Sequence, residues 1–273
     1  MSVIHTNNIT NKDGTSGPTI SGITTVSSTG FMQVPVGDTF KRNVVENVVK
    51  DGLVLYLDAG NDVSYAGIGT NVTDLSGTGN NALLYNGVTV SNDAFVLTQS
   101  SNQYIIIKHQ IPTLNFNSAV GETSFTVMIW ANARNASQNS FSGLISQDDP
   151  SDSQWAIKKE NSELFFRFRR GGASNSLPYP NYTAGKFHCY AATVDTSGVS
   201  RIYFDNQFIN STTQAQPGDY NYDVVLGSYR VSNAYTNIFL LDLSYGPVMI
   251  YRRALNYDEL TQNYNAFRGR YNQ

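Results

Sequence analysis

Apolar positions alternate with polar ones in short runs along most of this chain, and the runs end at Gly, Asn, Asp or Pro. Leu53, Leu55 and Leu57 form one face of a predicted strand over 52–58, with Val54 and Tyr56 on the other. Further strands are predicted at 94–98, 104–108, 124–132, 143–146 and 154–158. In SFTVMIWAN, Phe125, Val127 and Ile129 alternate with Thr126, Met128 and Trp130, so this strand has apolar residues on both sides and belongs inside the fold. ELFFRFRR places Leu164, Phe166 and Phe168 on one face and Arg167 and Arg169 on the other, either a solvated surface or a guanidinium platform for an anion. FHCYAATVDTSGVSRIYFDNQFIN reads as two linked hairpins, turning at 195–198 and at Asp205-Asn206-Gln207.

The pattern changes once. After FLLDLSYGPVMIY, which reads as two β-segments broken at Gly246-Pro247, Asn256 stands at an N-cap position with Glu259 three residues on. Leu260, Tyr264 and Phe267 then share one stripe of a predicted helix, and Arg268 and Arg270 are expected to complement its C-terminal dipole. Many short strands, no strand–helix alternation and one late helix predict an antiparallel β-sandwich.

The first 45 residues differ. They are rich in Gly, Ser and Thr and lack a periodicity long enough for a core of their own. Short β-branched runs at 20–26 and 31–36 suit either a β arm that docks on a partner or a disordered tail. The expected division is therefore an arm, 1–45, and a sandwich domain, 46–273.

Composition narrows the function. Charged residues make up 14% of the 273-residue chain and the net charge is −3, which gives no basic face for nucleic acid. The amino terminus has no basic-then-apolar pattern of an export signal, and no run is long enough for a membrane span, so a soluble chain made in a cytoplasm is expected. Cys189, the single cysteine, sits in an alternating strand and reads as a small buried hydrophobe. Glycoside hydrolysis needs two carboxylates in one cleft, and no E-x-D-x-E spacing occurs; nor do clustered His ligands or a G-x-S-x-G elbow. The loop TDLSGTGNN lacks the phosphate-binding spacing and reads as turn chemistry around Asp74. A non-enzymatic role is expected. Exposed loop aromatics beside polar groups suit either sugar stacking or packing. Tyr179 and Tyr182, with Asp205 on a nearby turn, are the candidate carbohydrate residues; Tyr220 and Tyr222 fall at the opposite end of the sheet.

Two resemblances add to this reading. LDLSYGPVMIYRRALNYDEL, through Asp242, Tyr251, Arg253, Ala254, Leu255 and Glu259, resembles the closing motif of laminin-G-like (concanavalin A-like) domains. Phe187-His188 and Tyr203-x-Asp205 resemble two further motifs of that family. The resemblance implies an all-β, antiparallel jelly-roll sandwich with a C-terminal helix. It also implies a Ca²⁺ site at the sandwich edge, carried over to Asp58 and Asp242; the alternative is that these carboxylates bond turn backbones. Val34, Pro35, Gly37, Thr39 and Arg42 are similar to N-terminal segments of virion structural proteins of tailed bacteriophages, the T4-like cyanophages among them. This second resemblance implies a fibre, decoration or adhesion protein in the virion, made in the host cytoplasm. Its partners would be other virion proteins, reached through the arm, and further copies of itself. The competing expectation is a carbohydrate-binding module for a host surface polysaccharide.

Overall fold

The computed structural model describes residues 47–108, 114, 116, 124–134, 141–148, 154–160, 163–170, 173–181, 183–213, 222–228 and 242–271. The chain divides after Lys41, and the described residues all belong to the second unit, Arg42–Gln273. The arm expected over 1–45 lies outside the described residues.

Among the described residues sixteen strands, numbered in chain order, build two antiparallel sheets. The first runs β14 (Gln207–Thr213), β13 (Val199–Phe204), β12 (His188–Val194), β7 (Phe125–Ala133), β16 (Leu243–Tyr251), β5 (Ala94–Leu97) and β4 (Thr89–Ser91), with β1 (Leu53–Leu57) also pairing β16. The second runs β11 (Ala173–Pro178), β10 (Glu163–Arg170), β9 (Gln154–Glu160), β8 (Phe141–Asp148), β15 (Val224–Leu226), β6 (Tyr104–Ile107), β3 (Ala82–Tyr85) and β2 (Asn71–Val72). The sheets face each other across one core, as the alternation predicted. Phe125, Val127 and Ile129 of β7, Tyr190, Ala192 and Val194 of β12, and Phe166 and Phe168 of β10 all point into it.

The first sheet is also buried on its outer side. Met128 and Trp130 of β7, Cys189 and Ala191 of β12, and Met249 and Tyr251 of β16 form a second apolar cluster. The helix α1 (Tyr257–Phe267) covers it with Leu260 and Phe267, both fully buried, and with Tyr264, whose ring stacks on Trp130 at 5.3 Å. This explains why Phe125 to Ala131 are buried without a break.

The helix start is built as its sequence suggested. Asn256 Oδ1 accepts the Glu259 N–H at 3.0 Å, and Glu259 Oε2 accepts the Asn256 N–H at 2.9 Å. Arg253 binds the same carboxylate through two nitrogens, at 2.6 and 2.8 Å. That guanidinium, with the Asn256 N–H, holds the Glu259 carboxyl below its usual range against the opposing effect of burial.

Three details differ from the sequence expectations. Gly246-Pro247 does not end a strand; β16 continues through a bulge between Tyr245 and Val248. A similar irregularity between Leu53 and Leu55 sends Leu53 to the outer cluster and Val54 to the inner core. The helix ends at Phe267, so Arg270 lies beyond it and serves another purpose. Around Asp74 the turn chemistry holds: its carboxylate accepts bonds from the Tyr56, Ser76 and Asn80 N–H groups and from the Ser76 and Thr78 hydroxyls. No helix among the described residues is long and apolar enough to cross a membrane.

Glu259→Gln should destabilise the domain by about 1 kcal/mol at neutral pH. Because Glu259 titrates lower folded than unfolded, its contribution is full above the unfolded carboxylate pKa and is lost as pH falls through the folded one. Urea unfolding across that range should show the wild type and variant converging in acid.

Candidate functional site

The outer cluster covers only part of the first sheet. Where α1 and its following turn stop, a groove opens across the outer ends of four strands. Its floor follows from strand register. Asn132 pairs with Ser244, and Ser244 with Val96. The pairs Cys189–Trp130 and His188–Ala131, continued by one place, bring Phe187 opposite Asn132. A larger basin of about 670 Å³ is lined by Asn92, Thr183, Lys186, His188 and Tyr271 beside the Asn132–Phe187 pair. A smaller one of about 320 Å³ continues over Ser91, Ala94, Val96, Arg134 and Ser244.

Each wall is fixed by bonds made away from the groove. Tyr271 stacks on Trp130 at 5.2 Å and on Phe187 at 4.3 Å, and its hydroxyl donates to the Asp93 carbonyl at 3.3 Å. Burial raises its phenol pKa, so it stands as a neutral ring. Gly246 is the residue that admits this ring: a Cβ there would lie 2.3 Å from the Tyr271 hydroxyl oxygen. On the opposite wall, His188 is held at both nitrogens. Nε2 accepts the Thr183 N–H at 3.2 Å, which leaves Nδ1 as the donor to Asp205 Oδ2 at 2.7 Å. The Gly185 N–H donates to the Ala133 carbonyl at 3.1 Å and so ties this loop to the end of β7.

The basic residues around the groove are mostly committed to the fold. Arg270 donates to Asp58 Oδ1 at 2.6 Å, and Asp58 is wholly buried. Burial works against the Arg270 charge, but the carboxylate outweighs it and raises the guanidinium pKa. Arg134 donates to the Leu97 carbonyl and lies 3.8 Å from Asp242. Asn132 is different. Its Oδ1 is buried, and among the described residues no group donates to it.

The residues singled out from the sequence fall in three places. Tyr179 is buried between the sheets, its hydroxyl donating to the Ala191 carbonyl at 2.9 Å and its ring edge-on to Tyr190, so it offers no face to a sugar. It prolongs the inward alternation of Leu177 rather than standing on an exposed loop. Tyr182 and Tyr220 lie outside the described residues. Asp205 does not line the groove but anchors it, bonding His188 and the Cys189 N–H from a turn in which Asp205 and Asn206 both have positive φ. Asp58 and Asp242, the residues carried over for calcium, each have a partner of their own. The first is neutralised by Arg270, and the second accepts the Gln99 N–H at 2.8 Å beside Arg134. Among the described residues no group of three or more His, Cys, Asp or Glu gathers for a metal. Cys189 is buried, and burial followed by Asp205 pushes its thiol pKa well up, which suits the inert reading. Asn132 and Phe187 are not among the candidate carbohydrate residues read from the sequence. Their signal was the polar interruption of the Met128–Trp130 face and the register opposite it.

With this geometry in view, comparison with known proteins is direct. Residues 99–261 match the Concanavalin A-like lectin/glucanases superfamily, and the chain belongs to it. The binding domain of the Paraclostridial Mosquitocidal Protein 1 is similar, with 19% identity and a TM-score of 0.63 over 80% of this chain and 53% of that one. A botulinum neurotoxin DC binding domain in complex with SialylT shares 13% identity, with a TM-score of 0.61 over 80% and 52%. A Trypanosoma rangeli sialidase in complex with sialic acid shares 17% identity, with a TM-score of 0.57 over 78% and 32%. The chain thus spans about half the length of the toxin domains it matches. No curated protein matches it in sequence.

These matches overturn the tailed-phage reading, and with it the fibre and decoration roles. They lead to toxin binding domains and a sialidase instead. The residues that suggested a virion arm, Val34 to Arg42, lie outside the described residues, and the sandwich motifs are shared by proteins of many functions.

Asp205→Ala would leave the His188 Nδ1–H and the Cys189 N–H without their acceptor. It should cost about 1–3 kcal/mol and speed hydrogen exchange at the Gly185 and Lys186 amides. Since Arg270 already neutralises Asp58, millimolar calcium should leave the melting temperature unchanged, as read by scanning calorimetry.

Proposed function

We propose that this chain is a non-enzymatic carbohydrate-binding module that takes saccharide in the outer-face groove. The observation that carries the reading is that the partly open Phe187 ring and the Asn132 carboxamide, whose Oδ1 has no donor among the described residues, both line the groove. A flat apolar ring receives the C–H face of a sugar, and a carboxamide can accept from or donate to hydroxyls. Asn92, Thr183 and Lys186 along the larger basin add polar groups at its rim.

A catalytic reading has less support. Neither basin is lined by an Asp or Glu among the described residues, whereas glycoside hydrolysis needs a carboxylic acid and a carboxylate facing each other. The solved structures held with SialylT and with sialic acid support a saccharide as the class of partner. Their own specificities remain theirs.

A glycan array should give saccharide binding for the wild-type chain, and Phe187→Ala should weaken the best response about tenfold, or about 1.4 kcal/mol. Absence of binding to every saccharide on the array would overturn the function.

A further inference from the structure

The groove has two basins rather than one, and Asn92, Asn132 and Phe187 line both. The larger is walled by the Thr183–His188 loop and Tyr271; the smaller lies over β5 and β16, floored by Ala94, Val96 and Ser244. Their junction is the cross-strand row that holds Asn132. His188, Arg270 and Arg134 are each committed to a backbone or carboxylate partner, whereas among the described residues no group donates to the Asn132 oxygen. The torsion that turns a carboxamide is soft and roughly two-fold, so the group can rotate to present either its oxygen or its nitrogen to the groove. In either setting the end of the carboxamide that faces the groove can bond a ligand hydroxyl at the junction.

We propose that the groove holds two consecutive sugar units of a glycan chain, one in each basin, and that Asn132 is a specificity-determining residue that bonds a hydroxyl where the two units meet. This deepens the carbohydrate-binding reading and rests on it. The site takes a stretch of chain rather than a single sugar, because the two basins adjoin along the row that holds Asn132.

The test uses the full chain and a printed set of glucose, galactose, mannose, N-acetylglucosamine and sialic acid, each as mono-, di- and trisaccharide, with titration of the strongest series. A disaccharide should bind about tenfold more tightly than its monosaccharide, and the third unit should add less than about threefold. Val96→Trp fills the smaller basin and should abolish the disaccharide gain, so that mono- and disaccharide bind alike. Asn132→Leu should weaken the disaccharide about tenfold with a melting temperature equal to or above that of the wild type. A merely structural role for Asn132 would instead lower the melting temperature and leave affinity alone. Equal affinity for mono- and disaccharide, a gain that survives Val96→Trp, or unchanged affinity in Asn132→Leu would each overturn the two-unit site while leaving the carbohydrate function standing. Failure of the whole set to bind would overturn both.

Discussion

The strand β7 imposes the main constraint on this molecule. From Phe125 to Ala131 it is buried on both faces, so a two-sheet sandwich alone cannot satisfy it. One side is met by the opposite sheet; the other needs an additional layer, which the C-terminal segment supplies. Trp130 lies between Tyr264 and Tyr271, with Phe267 and Leu260 alongside. The capping box and the Arg253–Glu259 pair fix where that layer begins. The Arg270–Asp58 pair fixes where it ends, and Asp58 follows directly on β1. A buried ion pair of this kind contributes position more surely than stability.

The groove is the remainder of that arrangement. The helix covers the apolar middle of the sheet and leaves the ends of β5, β16 and β7 open, where side chains change from Met and Trp to Asn, Ser and Arg. The polar groups at the rim mostly hold shape. Asp205 orients His188, His188 holds the Thr183 loop, and Asp58 neutralises Arg270. Such a surface has little net charge to attract an ion and several uncharged groups that fit hydroxyls. That character agrees with a chain in which charged residues are 14% and Asn, Ser, Thr and Tyr carry the polarity.

Much of the fold was legible in the sequence because period-2 alternation, turn residues and helix caps are local signals. The two-faced burial of SFTVMIWAN, the hairpins through Asp205-Asn206 and the Asn256–Glu259 box all appear as written. The bulges were not legible. Gly246-Pro247 has the composition of a chain break, and only the approach of Tyr271 from 25 positions later explains why glycine is needed there. The site was misread for a related reason. Tyr179 sits among prolines like an exposed loop residue, yet it continues the inward alternation set by Leu177. Asn132 and Phe187 meet through pairing between distant strands, and no local pattern brings them together. The phage resemblance failed at a different level, since it rested on a short segment of the arm, Val34 to Arg42, and fold motifs in the sandwich carry little information about what it binds.

The stacked rings on the outer face have a further consequence. The chain has two tryptophans. Trp155 is enclosed between the sheets, its indole N–H bonded to Gln147 Oε1 at 2.8 Å. Trp130 is joined to the groove through Tyr271 and Phe187, ring on ring. Of the two indoles, only Trp130 is therefore linked by ring contacts to the groove wall, so the environments of the two differ in what a change at Phe187 can reach.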